Sequence, residues 1–225
     1  MGLLLDEILS DKCEKCGVNI KAGSGSEQKK WCHDCIALYR RMQNLSPGKV
    51  AKRFVELVGE KFIDADIKNL DENHRDKLVN ASGDVYLWGS VGTGKTYAMA
   101  AMVKKLLCEG FECECINFDI FCCKVRSTMN KGSKQSEQQL IDKMVDVNKL
   151  FIDDMGLRSK QETDFAYVTF YAILNSRQNR LRPTYISTNK SLQQLSEGFD
   201  ARILSRLDDK SVTVIEMSGK DRRKS

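Results

Sequence analysis

The residues with the most legible chemistry are a run of glycines. Gly89-Ser90-Val91-Gly92-Thr93-Gly94-Lys95-Thr96 satisfies G-x4-G-K-[ST]. The apolar Val85-Tyr86-Leu87-Trp88 before it and the helical pattern Tyr97 to Leu107 after it give the strand, loop, helix context that the motif needs. Glycines let successive backbone N–H groups turn inward around phosphate oxygens, and the following helix adds the positive end of its dipole. In such a loop Lys95 reaches the β and γ phosphates and Thr96 ligates Mg²⁺, so ATP and magnesium are the expected cofactors. Further on, Leu150-Phe151-Ile152 runs into Asp153-Asp154, the form of a Walker B strand whose carboxylates emerge beside the P-loop. Asp153 is expected to hold Mg²⁺ through water. Asp154, one residue nearer the γ phosphate, is expected to orient or deprotonate the attacking water.

A second centre precedes this one. Cys13 and Cys16, then Cys32 and Cys35, form two C-x2-C pairs separated by fifteen residues, which is zinc spacing. Gly17 suits the tight turn of the first knuckle. The span Lys21 to Lys30 is rich in Gly, Ser and Lys and too polar for a core, so zinc would supply most of the folding free energy of this module. His33 lies inside the second knuckle, either replacing one thiolate or standing by as a solvated side chain.

The elements that must position these groups read as an α/β chain. Alternation of the strands Val85 to Trp88, Cys113 to Phe118, Leu150 to Ile152, Thr184 to Thr188 and Val212 to Ile215 with helical stretches predicts a parallel sheet covered on both faces. Val50, Phe54, Val55, Leu57 and Val58 form an amphipathic pattern. The expected organisation is a zinc-binding module over 1–45, a helical linker over 46–60 and a nucleotide-binding domain over 61–225. Cys108, Cys113, Cys115, Cys122 and Cys123 have no knuckle spacing and read as small core hydrophobes. Phe165, Tyr167, Phe170, Tyr171 and Leu174 read as a buried helix face.

Composition limits the rest. The 225 residues carry a formal net charge of +5, with 41% hydrophobic and 30% charged residues, which excludes a disordered chain. No apolar run approaches the length of a membrane span, and MGLLLDEILSDK lacks the basic start of a secretory signal, so a cytoplasmic protein with no membrane partner is expected. Nine cysteines, an odd number, then read as thiols or metal ligands rather than disulfides.

The segments GSVGTGKT, LFIDDMG, RPTYISTN, ARILSRL and GKDRRK, in this order and spacing, make roughly residues 60 to 225 similar to the AAA+ helicase loaders of the DnaC/DnaI type. That resemblance implies an AAA+ core with five parallel strands in the order 5-1-4-3-2. It implies Asn189, at the end of its strand, as the sensor 1 residue. It implies a trans-acting arginine finger at Arg206, with Arg202 one helical turn earlier on the same face toward a neighbour's nucleotide, and hence self-association. The sensor 2 arginine falls on Arg223 or Arg222. Two departures from most AAA+ proteins are expected: a core without the helical lid after the fifth strand, a truncated form that the loader branch resembles, and Asp154 in place of the commonest glutamate, as the loader and IstB-type branch often shows. Slow, partner-stimulated hydrolysis is the expectation. The function implied is loading of a replicative DnaB-type helicase onto single-stranded DNA, with the zinc module docking on the helicase. Lys124, Arg126, Lys131 and Lys134 are the candidate contacts to DNA, or else a solvated basic loop. An IstB-like transposition ATPase acting on duplex DNA is the alternative resemblance, and a nucleotide-gated adaptor of a replication protein is a third reading.

Overall fold

The computed structural model describes residues 11–12, 19–20, 46–128, 136–156, 160–196 and 201–219. The zinc candidates Cys13, Cys16, Cys32 and Cys35, together with His33, lie outside these residues, as do Lys131, Lys134, Arg222 and Arg223. In the amino-terminal part, Asp11–Lys12 pairs antiparallel with Asn19–Ile20.

The core sheet has five strands: β1 (Val85–Trp88), β2 (Cys113–Asn117), β3 (Lys149–Asp153), β4 (Thr184–Thr188) and β5 (Thr213–Glu216). All four neighbouring pairs are parallel and the order is 5-1-4-3-2, as the family resemblance implies. Strand side chains alternate between two cores. Leu87, Phe151 and Tyr185 join the core that includes Phe54 and Leu78, whereas Tyr86, Leu150, Ile152 and Ile186 join Phe118, Phe170, Ile173 and Leu174 on the other face. Apolar residues on both faces are what a helix-covered parallel sheet requires. Phe151 stacks on Tyr185 at 4.4 Å, and Phe118 meets Phe170 edge-on at 5.6 Å.

The helices are α1 (Pro47–Val58), α2 (Glu72–Asn80), α3 (Lys95–Cys108), α4 (Phe118–Ser127), α5 (Glu137–Asp146), α6 (Lys160–Asn179), α7 (Leu192–Ser196) and α8 (Ala201–Leu207). Ser46 caps α1 and Pro47 opens it, where a missing N–H does no harm. Phe54 on α1 is only 3% exposed and belongs to the first core. Most of the 46–60 stretch is therefore helical, and its apolar face packs on the first core of the sheet. Phe118, expected at the end of a strand, begins α4, because the Asn117 side chain accepts from the Ile120 N–H and caps a helix there. No helix among the described residues is long and apolar enough to cross a membrane.

Helix α6 ends in a Schellman arrangement: the Arg182 N–H reaches the Arg177 carbonyl and the Leu181 N–H that of Gln178, both at 3.0 Å. The left-handed position falls on Leu181, with φ 52° and 91% exposure. A branched side chain there strains the backbone and buries nothing. Leu181→Gly is expected to raise stability by about 0.5–1 kcal/mol in urea unfolding; a loss would show that the Leu181 side chain contributes in the folded chain.

Candidate functional site

The carboxyl ends of β1 to β4 converge on a cleft of about 660 Å³ lined by Gly92, Lys95, Thr96, Asp153, Asp154 and Asn189, among others. This is the edge at which open α/β sheets hold ligands. Its floor is the P-loop. Gly89 follows β1 with its Cα against the far end of β5: a Cβ there would sit 2.2 Å from the Met217 carbonyl oxygen. Gly92 and Gly94 have φ of 83° and 96°, and Gly94 immediately precedes α3. These left-handed positions turn the loop so that α3 starts at the cleft. Lys95 is 8% exposed, and its Nζ donates to the carbonyls of Gly89 (2.7 Å) and Ser90 (2.8 Å). The ammonium thus lies folded into the loop, held by the chain that would surround a phosphate.

The acidic side is built by strand register. Asn117 and Asp153 are paired across β2 and β3, and the β3–β4 pairing Ile152 with Ile186 sets Asp153 beside Ser187. The Thr96 hydroxyl donates to the Asp153 carboxylate at 3.1 Å. Ser187, 1% exposed, donates to the same carboxylate and accepts the Asp154 N–H at 3.0 Å. Asp154 adopts φ 53°, a left-handed conformation that aspartate tolerates better than most residues, and its side chain is exposed at the cleft. Ser187 therefore fixes both acidic residues, one through its carboxylate and one through its backbone. It carries no motif signature of its own. In the sequence it is marked only as part of RPTYISTN, two residues before Asn189. Asn189 is exposed and lines the cleft with Asp153 and Asp154. Thr96 and Asp153 offer a hydroxyl and a carboxylate oxygen at one spot, a hard donor set that suits Mg²⁺.

The other candidates lie elsewhere. Arg206 does not line its own chain's cleft. Its guanidinium stacks 4.7 Å from the centre of the Tyr171 ring, with Arg202 at 5.3 Å from the same ring, so the two arginines share a face of α8. Arg206 also donates to the Asn175 amide oxygen and, at 3.2 Å, to the Arg202 carbonyl. Lys124 and Arg126 are exposed on α4, with Arg126 over Phe165 at 5.0 Å. Among the described residues no group of three or more His, Cys, Asp or Glu is placed to hold a metal.

The described cysteines are free thiols, and Cys113 and Cys122 are buried. Burial pushes the Cys113 thiol up to about 12 and the Cys122 thiol up to about 11. Because the thiolate is the reactive form, both should resist alkylation at pH 8 in the folded chain while the exposed Cys108 and Cys123 react. Peptide mapping after a brief iodoacetamide pulse checks this; early labelling of Cys113 would contradict the burial.

Comparison with known proteins points the same way. The family described as the bacterial DnaA ATPase domain matches residues 45–213. The replicative helicase loader DnaC of Escherichia coli K12 is 28% identical over 119 residues, which cover 53% of this chain and 47% of the loader. The chain thus spans about half the length of the curated relatives it matches first. A crystal structure of DnaI superposes with a TM-score of 0.57 at 23% identity, covering 82% of this chain and 100% of that one. AMPPCP-bound DnaA from Aquifex aeolicus gives 0.60 at 18% identity, over 71% and 52%. At these identities the structural likeness is one of fold. Together with the DnaC match, it supports the resemblance to DnaC/DnaI-type AAA+ loaders drawn from the motifs.

Proposed function

The chain belongs to the bacterial DnaA ATPase-domain family, and from that membership we propose that it is an ATP-dependent loader of a replicative DnaB-type helicase onto single-stranded DNA. One observation carries the ATPase part: Lys95, Thr96, Asp153, Asp154 and Asn189 line a single cleft at the carboxyl edge of the sheet. The likeness to the helicase loader DnaC supports the choice of partner.

In this reading the backbone N–H groups of Gly89 to Thr96 and the Lys95 ammonium hold the β and γ phosphates of ATP. To do so Lys95 exchanges its bonds to the Gly89 and Ser90 carbonyls for phosphate oxygens. Thr96 and Asp153 hold Mg²⁺, which when bound neutralises charge on the phosphates. Asp154 orients the attacking water and takes its proton, and Asn189 senses the γ phosphate. Arg206, with Arg202 beside it, serves as a finger to the nucleotide of the next subunit, leaving its contacts with Tyr171 and Asn175 when it does so. Arg222 or Arg223 completes the nucleotide contacts. Cys13, Cys16, Cys32 and Cys35 bind zinc in a module over 1–45 that docks on the helicase, and 61–225 form the ATPase domain. Lys124, Arg126, Lys131 and Lys134 contact the phosphates of single-stranded DNA.

The test is co-purification with a DnaB-type helicase in ATP and Mg²⁺, comparing wild type with Cys32→Ser/Cys35→Ser. A complex lost in the variant supports the loader and assigns docking to the cysteine module. Failure to bind helicase, with tight binding of duplex DNA, would replace the loader with a transposition ATPase.

A further inference from the structure

The nucleotide cleft has a second wall that no P-loop or Walker motif describes. Lys61, Phe62 and Asn69 line it together with Tyr97 and the phosphate loop. Phe62 closes one short 3-10 turn (Glu60–Phe62) and Asn69 closes another (Ile67–Asn69). The segment carrying them is fastened to α3. Ala65 between the two turns is fully buried, and Lys104 Nζ donates to the Ile63 carbonyl at 3.1 Å. The main tie is Tyr97, the residue directly after Thr96. Its hydroxyl lies 3.2 Å from the Asp64 carbonyl, 3.4 Å from the Asp66 N–H and 3.1 Å from the Asn69 amide nitrogen.

The polarity of that network follows from counting protons. A phenol has one O–H to give. The Asp64 carbonyl can only accept, so the Tyr97 proton goes there, and the oxygen must accept from both other partners. Asn69 therefore turns its NH₂ toward Tyr97. Its Oδ1 remains as a hydrogen-bond acceptor on a residue that lines the cleft, and no described residue donates to it.

Resting on the nucleotide reading of the cleft, we infer that Asn69 reads the base and that Tyr97 is its positioning residue, selecting an adenine nucleotide. Adenine presents an exocyclic N6 amine, which donates to Asn69 Oδ1, while the Phe62 ring offers the base a flat apolar surface. Guanine presents a carbonyl at the same place, where two acceptors would face each other undonated. Because the wall is tied to α3 by the residue next to Thr96, the base and the phosphates are gripped from one helix.

The test is displacement of a ribose-labelled fluorescent ATP by unlabelled ATP, GTP and inorganic tripolyphosphate, for wild type, Tyr97→Phe and Asn69→Ala. Phenylalanine keeps the ring of the half-buried Tyr97, and Asn69 is exposed, so both variants should fold, with thermal unfolding as the check. Wild type is expected to prefer ATP over GTP by about tenfold or more, one hydrogen bond's worth of discrimination. Both variants should lose most of that ratio while tripolyphosphate competes equally well in all three. An unchanged ATP to GTP ratio in Tyr97→Phe would overturn the inference. So would an equal loss of affinity for tripolyphosphate, which would make Tyr97 a general support of the P-loop. If neither nucleotides nor tripolyphosphate bound wild type, the nucleotide reading itself would fall, an outcome distinct from lost discrimination.

Discussion

Replacing Lys95 with alanine is expected to lower ATP affinity by at least about a hundredfold, since a charge-assisted contact to phosphate oxygens in a mostly buried site is among the strongest single interactions a loop can offer. The fold should survive. Lys95 is 8% exposed, and its bonds run to the Gly89 and Ser90 carbonyls of its own loop. The loss therefore falls on two carbonyl oxygens of one loop, the one on Ser90 belonging to an exposed residue. A cost of about 1 kcal/mol in urea unfolding is expected from the two lost hydrogen bonds. Calorimetric titration with ATP and Mg²⁺ checks the first figure. If Lys95→Ala bound ATP as wild type does, the loop would not be the phosphate site. If instead the variant unfolded, the ammonium would be a structural pin of the loop before it was a ligand contact.

That prediction was legible in the sequence, because a P-loop is a local object: eight consecutive residues fix their own turn, and the flanking strand and helix are written as apolar runs on either side. The pair Asp153-Asp154 is local in the same sense. The sheet order came from the family resemblance; strand alternation alone yields a parallel sheet but not which strand lies beside which. What escaped sequence reasoning is what depends on register and on long-range hydrogen bonds. Ser187 touches the acidic pair only because β4 lies beside β3, 34 residues away along the chain. Tyr97 reads as one more apolar residue of α3 until its hydroxyl is seen 33 residues from the carbonyl it serves. The segment 46–60 has an evident apolar face, and periodicity does not say which surface that face meets. The four amino-terminal cysteines lie outside the described residues, so their zinc site stands as a proposal from spacing.

Arg177 is the clearest case of a residue that spacing could not reveal, and its removal should have the largest effect on stability. It reads in the sequence as an ordinary charge near the end of a long helix, yet it is fully buried. Its guanidinium donates to Thr184 Oγ1 (3.0 Å) and to the carbonyls of Met144 (2.7 Å), Val147 (2.8 Å) and Pro183 (2.7 Å), with longer bonds to Val145 and Asn148. One side chain thus gathers the carboxyl end of α5, the entry to β3 and the entry to β4, the two strands whose far ends carry Asp153 and Asn189. Burial lowers the guanidinium to about 10, still charged at neutral pH. Arg177→Met keeps much of the volume and leaves these carbonyls buried without a donor, which should cost about 3–5 kcal/mol in urea unfolding. Asp84 makes the mechanism testable by pH. Burial raises its carboxyl above 3.8, and the positive charge of Arg177 opposes that rise. A carboxyl raised in the folded state costs nothing below its unfolded value, costs progressively more as pH climbs from there to the folded value, and costs no more above it. Without Arg177 the folded value rises further, so the deficit of Arg177→Met should shrink as unfolding is repeated at progressively more acid pH. A deficit independent of pH would mean that lost carbonyl bonds alone, not the charge beside Asp84, account for what Arg177 contributes.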